Sequence, residues 1–137
     1  MTRDTRTGND MEMMIRISLE RGGYDIEEQS EVTGRLGGGR HKADFVACMD
    51  GECVVVSSKW QQTSGTAEQK VPYEYMCLAH ALSNSPEIQR AYIVLGGRGW
   101  SKDEFFLNDL GDWVNTDEYV EVIRLEDFIA KANRANL

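Results

Sequence analysis

Residues 42–60 constrain the fold more than any other stretch of the chain. Lys42 to Met49 reads as a strand, Met49-Asp50-Gly51-Glu52 as a turn, and Cys53 to Trp60 as a second strand. An Asp-Gly pair between two apolar runs is a strong short-range hairpin signal. Within the second strand, Val54-Val55-Val56 is continuously apolar, the pattern of a central strand covered on both faces rather than an edge strand. The ribbon brings one acid and one cation to the same end, Asp44 on the first strand and Lys59 on the second. Each is out of place in its apolar setting, and a buried lysine is costly without a partner. An acid able to hold a divalent cation, beside an ammonium able to face a phosphate, is chemistry suited to cutting phosphodiesters.

The remaining elements assemble around that hairpin. Met11, Met14, Ile15, Ser18 and Leu19 follow helical spacing, with Asp10 as N-cap and Gly22-Gly23 as the stop. Tyr24 to Val32 reads as a partly exposed strand, and Gly34 to Gly39 as a glycine-rich loop. Thr66 and Gln69 have capping-box spacing, opening a helix in which Val71, Tyr75, Leu78 and Leu82 form the apolar stripe, with Pro72 confined to its first turns. Ala91 to Leu95 is a short buried strand, Ser101 to Trp113 contains a helix, Tyr119 to Ile123 is a last strand, and Leu125 to Ala135 a terminal helix. The order α-β-β-β-α-β-(α)-β-α predicts a mixed α/β layer, and 137 residues suffice for a single domain with its own core.

Composition bounds the partners. A net charge of -8 argues against a protein that coats nucleic acid non-specifically, although positive charge is local at Arg35, Arg40, His41 and Lys42 and again at Arg98. Those five residues are the candidate contacts to a nucleic-acid backbone. The P-loop pattern is not met, because Gly39 is followed by Arg40-His41. No apolar run approaches the ~20 residues of a membrane helix, and the polar first nine residues do not form a signal peptide, so the expected setting is the cytoplasm. Three cysteines with no metal-ligand spacing predict small half-buried residues rather than disulfides, and two distant histidines give no zinc site. Trp60 and His80 read as packing residues.

The element order together with Asp44 and Ser57-Ser58-Lys59 resembles the PD-(D/E)XK nuclease superfamily over roughly Glu12 to Leu95. The resemblance implies a restriction endonuclease-like αβββαβ core, a central mixed sheet flanked by helices. Asp44 matches the family's acid, preceded by Ala43 instead of proline. Lys59 matches the lysine, while Ser57 stands where an Asp or Glu is usual. A family variant with Ser-x-Lys recruits its missing carboxylate from the following helix, and Glu74 fits that arrangement better than Glu68, which is expected to be more exposed. Gln69 and Tyr73 have the Gln-x-x-x-Tyr spacing of the RecB-like branch. Glu12 corresponds to the first-helix glutamate of Holliday-junction resolvases and borders the apolar face with Ile15 and Leu19.

The resemblance implies a metal-dependent DNA nuclease, expected to be an endonuclease. Asp44 and Glu74, with Glu12 and the backbone of Ser58, would hold Mg²⁺ (or Mn²⁺). Lys59 would act on the attacking water, Ser57 would stand beside it, and Gln69 would fix the ligand geometry. A homodimer is expected if both strands are cut. The competing expectation is a catalytically inactive nuclease-fold module that binds nucleic acid or protein, fed by Ser57.

Overall fold

A computed structural model describes residues 8–63 and 65–137. The elements run α1 (Gly8–Gly22), β1 (Asp25–Glu31), β2 (Lys42–Met49), β3 (Glu52–Trp60), α2 (Ala67–Ser83), β4 (Ile88–Gly96), α3 (Asp103–Asn108), a 3₁₀ turn (Leu110–Trp113), β5 (Tyr119–Arg124) and α4 (Leu125–Asn133). The five strands form one sheet in the order β1-β2-β3-β4-β5. The first three are antiparallel neighbours, whereas β3, β4 and β5 run parallel. This is the α/β, restriction endonuclease-like architecture predicted above. The Val54-Val55-Val56 run lies in the middle strand, as its double-sided apolarity requires.

Two cores sandwich the sheet. Val54, Val56, Tyr92 and Val94 pack with Met11, Ile15 and Leu19 of α1 and with Phe128 of α4. The alternate residues Val55, Ala91, Ile93 and Leu95 pack on the other face, with Val71, Tyr75 and Leu78 of α2 and Phe106 of α3. The edge strand β1 is mostly exposed and carries Asp25, Glu27, Glu28 and Glu31, which discourages pairing with another chain. No helix among the described residues is long and apolar enough to cross a membrane.

Local chemistry explains the element ends. The β2–β3 turn is a two-residue loop in which Asp50 (φ 54°) and Gly51 (φ 82°) are both left-handed, as a type I′ hairpin demands. Helix α1 closes with left-handed Gly23, whose N–H bonds Glu20 O while Tyr24 N–H bonds Leu19 O, a Schellman ending. Four expectations are corrected. Asp10 lies inside the first turn of α1 rather than capping it, and Met14 is 41% exposed. Thr66 does precede α2, but in a helical conformation with no side-chain cap bond, so the capping box does not form. Cys48 and Cys53 face each other across the hairpin and form a disulfide, because the register sets them directly opposite. Cys77 alone fits the expected buried thiol.

Antiparallel β2 and parallel β3, β4 and β5 bring the start of β2 and the ends of the other three strands to one end of the sheet. The loops after β3 and β4 interlock there: Gln61 N–H bonds Gly96 O at 3.0 Å, and Gly99 N–H bonds Gln61 O at 2.8 Å. Gly97 is left-handed (φ +92°), and a Cβ on it would lie 2.3 Å from Gln61 O. Both the conformation and the clash with backbone require glycine. Gly97→Ala is expected to destabilise the fold by about 3 kcal/mol, read as a lower urea midpoint at unchanged m-value; a shift below about 0.5 kcal/mol would contradict the interlocked-loop description.

Candidate active site

Pairing between β2 and β3 runs from the turn to Phe45–Val56 and stops. Past that step the side chain of Asp44 takes over the contact. Its Oδ2 accepts the backbone N–H of Ser58 at 2.6 Å and the Ser58 hydroxyl at 3.0 Å. On the other side of β2, Glu28 pairs with Phe45 and Ser30 with Ala43, and the skipped Gln29 is left-handed (φ 52°). The in–out alternation of β2 breaks at the same place, since Phe45 and Ala47 face α1 whereas Ala43 and Val46 pack toward α2. A strand held at both ends but irregular at Asp44 can turn that carboxylate into the gap between strands.

Glu12, on α1, is half-buried. Burial raises its pKa, and the charges of Asp44 and Glu28 push it the same way. Neither Glu12 nor Asp44 has an ion-pair partner among the described residues. Two hard-oxygen donors that repel each other and lack a protein counter-charge fit a small divalent cation. Mg²⁺ in particular is held by one or two carboxylates while keeping several waters.

Glu74, on α2, is in a contrasting state. It is 3% exposed, and burial alone would raise its pKa. Its neighbours outweigh burial: the His41 hydrogen bond, the charge of Lys59, the charge of His41 and the Ser57 hydroxyl hold it at about 2. His41 Nε2 donates to Oε2 at 3.1 Å, and Arg35 Nη1 approaches Oε1 at 3.4 Å. Glu74 is therefore a buried, ionised anion ringed by donors, with half-buried Lys59 in its field. Among the described residues no three His, Cys, Asp or Glu side chains gather as a metal-binding group, so Glu74 does not join Asp44 and Glu12 in one cluster.

Several expected roles change in this geometry. His41 was expected in an exposed basic loop, yet it is wholly buried and cannot reach a phosphate. Its period-two relation to Ala43 is the signal that places it on the α2 side of β2. Its Nδ1 is buried with no hydrogen-bond partner among the described residues. Arg35 is tied down by Glu74 and by its own Nε–H, which donates to the Arg40 carbonyl at 3.1 Å. Arg40, Lys42 and Arg98 are exposed. Gln69 is exposed and bonds neither Asp44 nor Glu74, because five positions along a helix carry it roughly 140° around the axis from Glu74. Tyr73 donates its hydroxyl to Leu36 O and so tethers the glycine-rich loop to α2. Ser58 contributes its N–H and hydroxyl to Asp44.

Glu68 is not the exposed acid expected. It is 6% exposed and accepts from Ser101 N–H (3.1 Å), Ser101 hydroxyl (2.9 Å), Lys102 N–H (2.7 Å) and the Gln61 amide (3.2 Å). Burial raises its pKa, but these donors outweigh that and hold it below the usual carboxylate range. Glu68 thus anchors Ser101 and Lys102, the residues just before α3, with a side chain from α2, a long-range partnership that spacing does not reveal.

Comparison with known proteins follows from this arrangement. A family model described as a PD-(D/E)XK nuclease superfamily domain matches residues 3–136. No curated protein matches the sequence. Three solved structures share the fold at low identity. The fdxN element excision controlling factor protein from Anabaena variabilis aligns with a TM-score of 0.58 at 15% identity, over 86% of this chain and 92% of its own. An XisH family protein from Nostoc punctiforme gives 0.57 at 17% identity, over 86% and 93%. AF1548, a protein of unknown function, gives 0.55 at 14% identity over 83% of this chain, which spans 57% of that protein's length.

The state of Glu74 has a measurable pH signature. A carboxyl depressed from 4.5 to about 2 contributes stability above pH 4.5 and loses it as pH falls toward 2. Glu74→Gln should cost about 3 kcal/mol at pH 7. In urea titrations at a series of pH values, the gap from the unsubstituted protein should shrink steadily below pH 4.5. A gap that stays constant down to pH 3 would contradict the buried-anion assignment.

Proposed function

The chain belongs to the PD-(D/E)XK nuclease superfamily, and from that premise we propose that it is a metal-dependent deoxyribonuclease, acting as an endonuclease on phosphodiester bonds. The observation that carries the proposal is the gathering at one sheet end of an uncompensated carboxylate pair, Glu12 and Asp44, and a lysine held in the field of a buried anion, Lys59 and Glu74.

Members of the superfamily generally use divalent metals. Glu12 and Asp44 would hold Mg²⁺ here, with Mn²⁺ as a substitute. When bound, the cation supplies charge neutralisation at the scissile phosphate and activation of a water molecule. The protein's own groups do the rest. Ser58 fixes Asp44 through two hydrogen bonds to one oxygen, leaving the other free to bind. Lys59 orients the attacking water and offsets the charge that develops on the phosphoryl oxygens. Glu74 stands in for the acid missing at Ser57: it positions the Lys59 ammonium, and His41, Arg35 and Ser57 keep it in place. In this reading Glu74 is a positioning residue rather than a metal ligand. Arg40, Lys42 and Arg98 supply exposed positive charge for the DNA backbone. A homodimer would bring two such centres to the two strands.

A second reading is favoured by Ser57 and by the saturation of Glu74 with donors: a catalytically inactive nuclease-fold module. The excision-controlling role in the name of the Anabaena variabilis protein suits a DNA-handling protein of either kind.

Cleavage of supercoiled plasmid separates the two. Nicking or linearisation is expected with Mg²⁺ or Mn²⁺, none with EDTA, and a loss of at least a hundredfold in Lys59→Ala and in Asp44→Ala with the fold retained. Glu68→Ala should reduce stability more than it reduces the activity of the folded fraction. Full activity in Lys59→Ala would overturn the assignment.

A further inference from the structure

The nuclease reading leaves open which part of a nucleic acid is held beside the cut, and the inference drawn here rests on that reading. β3 delivers Ser58, Lys59 and Trp60 in succession, and Trp60 packs with the core on the α1 side of the sheet. On α1, Met11 adjoins Glu12. Between α1, α4 and the ends of β3 and β4 lies a partly open cavity of about 300 Å³, lined among others by Met11, Met14, Trp60, Arg98, Glu126 and Ile129. It opens at the same sheet end as the Glu12–Asp44 pair.

Two features of this cavity point to a ligand, the fixed loop at its rim and the free charge that loop carries. Gly96 itself lets Met11 and the Trp60 ring pack closely on its backbone, since a Cβ there would stand 2.7 Å from Met11 Sδ and 3.0 Å from the ring. The loop bearing Arg98 is fixed by Gln61 N–H and Trp100 Nε1, which both donate to Gly96 O, at 3.0 and 2.8 Å. Arg98 itself is exposed and has no ion-pair partner among the described residues, so its charge is available to an anion. An indole, two thioethers and an aliphatic side chain around a slot, with a guanidinium at the mouth, match a flat aromatic ring joined to a phosphate. Glu126 matches the amino groups that bases carry. A base inside a duplex cannot reach such a slot without leaving the stack.

We propose that this cavity is a subsite for one unpaired nucleobase of the strand being cut, stacked on Trp60, with Arg98 on the adjoining phosphate. The substrate class is then DNA with an unstacked base next to the cleavage point, such as a flap, a junction or a single-stranded end. Stacking on aromatic side chains tolerates every base, so the subsite reads structure rather than sequence.

The test uses the full chain with Ca²⁺ in place of Mg²⁺, so that binding is read apart from cleavage. The probes are an oligonucleotide duplex with 2-aminopurine in a single-stranded overhang and the same sequence fully paired. The overhang is expected to bind about tenfold more tightly, with 2-aminopurine quenched on binding. Trp60→Leu and Arg98→Gln should each weaken overhang binding about tenfold and erase the preference over duplex. Arg98→Gln alters an exposed loop residue, so it remains informative if Trp60→Leu does not fold. Equal affinity for both probes, or an unchanged preference in Arg98→Gln, overturns the subsite. If the protein also nicks plasmid in Mg²⁺, that result removes the subsite and leaves the nuclease reading standing. Absence of binding to either probe overturns both.

Discussion

The 2.6 Å hydrogen bond from Ser58 N–H to Asp44 Oδ2 is the contact around which this end of the molecule is organised. An ordinary antiparallel ladder would continue past Phe45–Val56 and leave Asp44 pointing to one face of a closed sheet. Instead the carboxylate replaces a backbone acceptor, the strands part, and β3 continues alone against β4 to Trp60. The cost of an irregular strand falls on left-handed Gln29, opposite which the structure gains a polar gap at the end of an otherwise apolar sheet.

Around that gap the charges are divided unequally. Glu12 and Asp44 repel each other with no cation between them, whereas Glu74 is surrounded by His41, Arg35, Ser57 and the field of Lys59. On the proposed reading, an added divalent ion would stabilise the first pair. The second is already neutralised by protein, so a cation there would have to displace donors from a buried carboxylate. This division answers the loss of an acid at position 57. A negative charge is present on α2 instead, in the field of Lys59, and under the proposed function it would serve the lysine more directly than a metal. The negative balance of the whole chain is compatible with a nucleic-acid substrate on these terms, since the positive groups that matter are local.

Much of the fold was legible because its strongest signals are short-range. The predicted strand Lys42–Met49 has the observed bounds, and the Asp-Gly turn and the central position of Val54-Val55-Val56 follow from turn chemistry and double-sided burial. The relations that escaped sequence reading are long-range or depend on register. His41 looks basic and mobile beside Arg40, and its period-two relation to Ala43 becomes informative only once Ala43 is seen to pack toward α2. Glu68 reads as a helix-surface acid until the loop after β4 presents the N–H groups of Ser101 and Lys102. The Cys48–Cys53 pairing needed the register as well as the turn. Of the site, Asp44 and Lys59 were placed at one sheet end by the hairpin reading, and Glu74 was brought in by the resemblance to the Ser-x-Lys variant. The separation of Glu74 from the Glu12–Asp44 pair was not, because it depends on side-chain packing against α2 and the glycine-rich loop.

Crystals grown with Mn²⁺ and measured at its absorption edge test the central claim most directly. The account predicts an anomalous peak coordinated by Asp44 and Glu12, with the His41–Glu74 hydrogen bond intact. A peak on Glu74 with His41 displaced, or none near Asp44 at saturating Mn²⁺, would contradict it.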